Sequence, residues 1–144
     1  MIFPLAAMAS RTSAAILDDV ARSCLIVDDN AEFLDAARKL LQQQGISVVA
    51  VASNSADAIA LAVDLRPEVA LVDVDLGSES GLELACSLAK RCEAVEVILI
   101  SAYSEKDLRD LVEESPAVGF VSKSVLSRQA IDDLLDCASA NPGT

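Results

Sequence analysis

The sequence predicts an α/β domain, a doubly wound sheet of five parallel strands with helices on both faces. Three observations carry that expectation. Short β-rich apolar runs alternate with segments of helical periodicity, and the runs start about every two dozen residues, the length of one strand plus one returning helix. The runs are nearly continuous in apolar residues, which implies burial on both faces and hence a parallel sheet covered by helices. Five such units with right-handed crossovers wind into one sheet. Sheets of this kind collect ligands beyond the carboxyl ends of their strands, where strand order reverses.

Each element has its own signal. Residues 1–22 read as an N-terminal extension. Met1 to Ala9 are apolar and end in small residues, but they lack a positively charged start and are interrupted by Pro4, so a secretory signal is not expected. Met8 is a candidate natural start, and Ser13 to Ser23 are expected to add a turn or two of helix. The domain proper is expected over residues 23–138. Its strands are Cys24 to Asp28, Ser47 to Ala52, Val69 to Asp73, Val95 to Ser101 and Val118 to Ser122. Between them, Leu34, Ala37 and Leu41 share one helical face, and Ala56, Ile59, Ala60 and Val63 share another. Asn30, Asn54 and Ser104 stand where N-caps belong, and Gly45 stands where the first helix should end. A last helix is expected from about Ser127 to Ala138, followed by a tail over 139–144.

A chain of 144 residues is about one domain's worth. No uncharged apolar stretch reaches the roughly 18 residues that cross a bilayer, so a membrane location is not expected. The net charge of −12 argues against direct binding to nucleic acid or to anionic membranes. Cys24, Cys86, Cys92 and Cys137 show no C-x-x-C spacing, and there is no histidine to complete a zinc site or a Cys-His nucleophile pair. They read as reduced thiols, Cys86 and Cys92 packing within a helix, which points to the cytoplasm. The absence of histidine also excludes a phosphohistidine donor role for this chain itself.

The informative residues stand where the apolar runs stop. Asp28 and Asp29 close the first run, Asp73 the third and Ser101 the fourth, while Lys123 follows the fifth. Parallel strands would gather all of them at one edge. Carboxylates a few ångström apart repel and raise one another's pKa, so the cluster requires counter-charge. A divalent metal and a lysine would supply it.

With these residues in place, the sequence resembles a receiver domain of a two-component response regulator, over about Ser23 to Ala138. The resemblance is carried by Leu25-Ile26-Val27-Asp28-Asp29, by Leu71-Val72-Asp73-Val74-Asp75-Leu76 with Gly81-Leu82-Glu83-Leu84, by Ile98-Leu99-Ile100-Ser101-Ala102, and by Gly119-Phe120-Val121-Ser122-Lys123. It implies a flavodoxin-like fold with strand order 2-1-3-4-5. It also implies a signalling switch in place of an enzyme, with Asp73 as phosphoacceptor. Mg²⁺ would be held by Asp29, Asp73, Asp28 mainly through water, and the backbone carbonyl of Asp75. Lys123 would place a charge on a phosphoryl oxygen, and Ser101 and Phe120 would relay the change. The implied partners are a sensor histidine kinase or histidine phosphotransfer protein as donor, and a downstream protein or a second copy reading the face made by Ser104 to Glu114, Val118 to Ser122 and the last helix.

Several positions depart from the commonest family pattern. Ser124 follows Lys123 where proline is usual, Phe120 replaces a frequent tyrosine, and Gly77 replaces a common proline. Asp75 adds an acid two residues after Asp73, where it is expected to bear on phosphoryl lifetime. Two other functions fit parts of the pattern. One is a receiver-like scaffold that binds a partner without phosphorylation. The other is an aspartate-nucleophile phosphatase using Asp73-Val74-Asp75, which lacks the late acidic metal ligands such an enzyme needs.

Overall fold

A computed structural model of the chain describes residues 22–102, 109–110 and 112–140. The elements are β1 (Ser23–Val27), α1 (Ala31–Gln43), β2 (Ser47–Ala52), α2 (Ser55–Leu65), β3 (Val69–Asp73), β4 (Asp75–Leu76), β5 (Glu79–Ser80), α3 (Gly81–Arg91), β6 (Glu96–Ser101), β7 (Gly119–Ser122), a 3-10 turn (Lys123–Val125) and α4 (Arg128–Ala140). Helical backbone also covers residues 109–110 and 112–113. The expected N-cap at Ser104 lies outside the described residues, as do the extension up to residue 21 and the end of the tail.

The main sheet is parallel throughout, in the order β2-β1-β3-β6-β7. This is the expected 2-1-3-4-5 order once the small antiparallel hairpin β4-β5 is counted separately. The sequence reading missed that hairpin, since strands of two residues leave no periodicity to detect. The five expected strands are present with bounds shifted by at most one residue. Ser23 opens β1 and does not extend a helical turn.

Alternate strand residues feed two cores. Ile26, Leu71, Ile98 and Ile100 face α1 and α4, where they meet Leu34, Leu41, Ile131 and Leu135. Leu25, Val27, Val72 and Leu99 face α2 and α3, where they meet Ala58, Ala62, Leu84 and Leu88. Burial on both faces explains why the strands read as continuous apolar runs.

The caps follow the sequence. Asn30 Oδ1 accepts the amides of Glu32 and Phe33, and Asn54 Oδ1 accepts that of Asp57. Gly45 lies just past the end of α1 at φ +92°, a left-handed position that suits glycine. On α1 the buried residues are the expected Leu34, Ala37 and Leu41.

Two expectations are corrected. On α2 the buried residues are Ala58 and Ala62, with Ile59 and Leu61 beside them, whereas Ala56, Ala60 and Val63 are exposed. The helix is apolar everywhere except Ser55, Asp57 and Asp64, so its periodicity could not select a face. The small side chains of Ala58 and Ala62 let the helix lie close to the sheet. Cys86 is exposed and does not pack, while Cys92 is buried just past the end of α3. No disulfide joins any of the four cysteines.

Candidate functional site

Strand register sets the site. Val27 pairs with Ala52 on one side and Val72 on the other, Asp73 with Ile100, and Ser101 with Ser122. The carboxyl ends of the central strands therefore finish level. The residues that follow or close them, Asp28, Asp29, Asp73, Ser101 and Lys123, line one cavity of about 190 Å³ together with Asn30, Asp75 and Ala102.

Asp28 is completely buried. Its Oδ1 accepts the amide of Asn30 at 2.9 Å, and its Oδ2 lies 2.5 Å from Lys123 Nζ. Asp73 Oδ1 accepts the amide of Asp75 at 3.0 Å, and Asp73 Oδ2 accepts a hydrogen bond from Lys123 Nζ at 2.9 Å. Asp29 is exposed at the rim. One carboxylate oxygen from each of Asp28, Asp29 and Asp73 lies within 4.8 Å of the others.

Burial pushes the Asp73 carboxyl above its ordinary pKa. The Asp75 amide and the Lys123 ammonium pull it back, and the charge of Asp28 adds to the rise. For Lys123 burial acts downward, but hydrogen bonds and charges from Asp28 and Asp73 outweigh it and leave the ammonium above its ordinary value. The lysine is thus held charged between two acids that would otherwise repel one another.

Two glycines make room for this geometry. Gly77 sits at φ +77°, and a Cβ there would come 2.9 Å from Asp29 Oδ2. Its amide donates to Asp75 Oδ1 at 3.0 Å, so the Asp75 side chain is turned back on its own loop. At Gly81 a Cβ would fall 1.8 Å from the Asp73 carbonyl oxygen, so α3 can begin against the end of β3 only because no side chain is there.

The donor set suits Mg²⁺, a hard cation that takes a few carboxylate oxygens and fills its remaining positions with water and phosphoryl oxygen. Three carboxylates beside an open cavity provide for both. Among the expected site residues, Phe120 stands apart. It is half-buried against the core on the α2 and α3 side and lines a separate cleft of about 430 Å³ with Arg109, Val112, Glu113, Gly119 and Leu134. All described peptide bonds are trans, including Lys123-Ser124. The sequence reading overlooked Phe33, whose ring lies 4.4 Å from Lys123 Nζ. Its only signal was an aromatic residue in the first turn after the acidic pair.

A parallel flavodoxin-like sheet with an acidic, lysine-bridged pocket at its carboxyl edge defines the class. Residues 24–136 match the response regulator receiver domain family, and the chain belongs to that family. Receiver domains are signalling modules of two-component response regulators, for the most part without enzymatic activity of their own. They bind Mg²⁺ through acidic residues and interact with sensor kinases and effector domains. The chain is 28% identical over 101 residues to the DNA-binding transcriptional activator EvgA of Escherichia coli (strain K12), covering 70% of this chain and 50% of that protein. It is 24% identical over 104 residues to the transcriptional regulatory protein PdtaR of Mycobacterium tuberculosis (strain H37Rv), covering 72% of this chain and 50% of that one. The chain thus spans about half the length of these curated relatives.

Among solved structures, the signal receiver domain of a modulated diguanylate cyclase from Desulfovibrio desulfuricans G20 superposes with a TM-score of 0.69 at 28% identity, over 82% of this chain and 93% of that one. A CheY-like receiver domain protein from Methanospirillum hungatei JF-1 gives 0.70 at 21% identity, over 85% and 97%, and supports the fold. No helix among the described residues is long and apolar enough to cross a membrane.

Proposed function

We propose that this domain is a phosphorylation-controlled switch in which Asp73 accepts a phosphoryl group. The observation that carries the reading is the convergence of Asp28, Asp29, Asp73 and Lys123 on one cavity, with Lys123 Nζ 2.5 Å from Asp28 and 2.9 Å from Asp73. A carboxylate oxygen of Asp73 attacks the phosphorus of the donor. The new O–P bond forms as the bond from phosphorus to the donor breaks, and the electron pair leaves with the donor's imidazole nitrogen or acyl oxygen.

Asp28, Asp29, Asp73 and the backbone carbonyl of Asp75 are the residues that would hold Mg²⁺, which when bound neutralises charge gathering on the phosphoryl oxygens. Lys123, already between two acids, supplies a fixed positive charge to the same group. Ser101, buried at the end of β6, donates its hydroxyl to a phosphoryl oxygen and so couples the end of β6 to the site. Phe120 sits in the cleft beside α4, where repacking would alter the face read by a downstream protein or a second copy. A sensor histidine kinase or histidine phosphotransfer protein is the proposed donor, and the cytoplasm the proposed location.

The test is incubation with Mg²⁺ and acetyl phosphate, followed by intact mass. The chain is expected to gain one phosphoryl group, and Asp73→Asn none. A chain that gains nothing is a scaffold, and one that releases phosphate with continuous turnover is a phosphatase; either result overturns the proposal.

A further inference from the structure

Lys123 opens the 3-10 turn that follows β7 and carries its charge on a long flexible stem, and fixing such a side chain forfeits rotamer freedom. The ammonium is nevertheless fixed. Its side chain is 18% exposed, and two of its contacts are the carboxylates of Asp28 and Asp73. The third is the face of Phe33, 4.4 Å from the ring centroid and well within the roughly 6 Å over which a ring quadrupole attracts a cation.

Phe33 is itself held in place. Its amide donates to Asn30 Oδ1 at 3.1 Å, the amide of Asn30 donates to Asp28 Oδ1 at 2.9 Å, and the ring packs against the core shared by Ile26 and Leu34. Lys123, Asp28, Asn30 and Phe33 therefore form a closed circuit of contacts that returns to its starting ammonium. The carboxylates alone would leave part of the ammonium to water, and the ring covers part of it with a surface that cannot compete for the phosphoryl group.

We propose that Phe33 is a positioning residue for phosphoryl uptake: its ring face holds the Lys123 ammonium in the place where it meets an incoming phosphoryl oxygen. The inference rests on the roles given above to Asp73 and Lys123. A ring that only packed the core would be replaceable by any apolar side chain of similar size. A ring acting through its quadrupole would be replaceable only by another electron-rich ring.

The test compares wild type with Phe33→Tyr, Phe33→Leu and the chain carrying pentafluorophenylalanine at position 33, which keeps the shape and reverses the quadrupole. In the NMR spectrum the ε protons of Lys123 are expected to be shielded by the ring current in wild type and Phe33→Tyr, and not in Phe33→Leu. The rate of phosphoryl uptake from acetyl phosphate at saturating Mg²⁺ is expected to fall about tenfold in Phe33→Leu and in the fluorinated chain, and to stay within about twofold in Phe33→Tyr. The fluorinated chain keeps the test decisive if the leucine variant folds poorly. Wild-type uptake by the fluorinated chain, or an unshielded Lys123 in wild type, overturns the proposal. Wild type that takes up no phosphoryl group while Lys123 remains shielded overturns the switch reading instead, and leaves the contact standing without its role.

Discussion

Gly81 decides how close α3 can come to the phosphoacceptor candidate. An alanine methyl would sit 1.8 Å from the Asp73 carbonyl oxygen and 2.8 Å from Val74 Cα, and neither backbone atom can rotate away. Alanine favours helix over glycine by about 1 kcal/mol, but a clash with fixed backbone costs more. Gly81→Ala is therefore expected to destabilise the chain by about 2 kcal/mol in urea unfolding, with a neutral result counting against this approach. The thiols separate in the same residue-level way. Burial pushes Cys24 up to about 12, so it is expected to resist a thiol reagent until the chain unfolds, while exposed Cys86 reacts at once. Asp28, Asp29, Asp73 and Lys123 were legible because each interrupts or follows an apolar run, a change of chemistry along the chain. Phe33 was not, and Gly81 stood out only as the opening of a helix in the motif, not for its approach to Asp73. Their importance lies in what they approach across the fold, and an aromatic or a glycine at a helix start has ordinary local explanations.

At the level of elements, legibility tracked contrast. On α1, charged and polar residues alternate with Leu34, Ala37 and Leu41, so one face stood out, and it is the buried one. On α2 almost every position is apolar, and the expected face was displaced from the true one. That difference gives a direct test. Ala58 is completely buried against the sheet, so Ala58→Leu must force extra methylenes into a filled space, at a cost of about 2 kcal/mol. Ala60 is exposed, and Ala60→Leu is expected to change stability by less than about 0.5 kcal/mol. Urea midpoints of the two variants should therefore diverge; equal midpoints, or a larger loss at Ala60, would restore the face read from the sequence. The hairpin β4-β5 was invisible for a related reason. Its pairing of Asp75 with Ser80 and Leu76 with Glu79 depends on the turn through Gly77, and no local pattern announces so short a ladder.

Across the whole molecule, excess negative charge sets the response to salt. At −12, self-repulsion opposes the compact state, and screening should relieve it. Some contacts work the other way. Partly buried Arg22 pairs with Glu68, Asp132 and Asp136, and exposed Lys39 with Asp35, and salt weakens such solvent-accessible pairs. Each is worth less than about 1 kcal/mol, so the excess of acids wins. The melting temperature is thus expected to rise with sodium chloride up to about physiological ionic strength, where the Debye length has fallen to roughly 8 Å. Mg²⁺ should do more than screen. A cation held by Asp28, Asp29 and Asp73 binds the folded state and not the unfolded one, and at about a hundredfold excess over its Kd contributes about 3 kcal/mol. At matched ionic strength, magnesium chloride is therefore expected to raise the melting temperature above sodium chloride in wild type. Asp29→Asn should erase that increment while leaving the sodium response intact, because Asp29 is the exposed member of the three and Lys123 continues to compensate Asp28 and Asp73 without it. An increment that survives Asp29→Asn would place the cation elsewhere on this acidic surface.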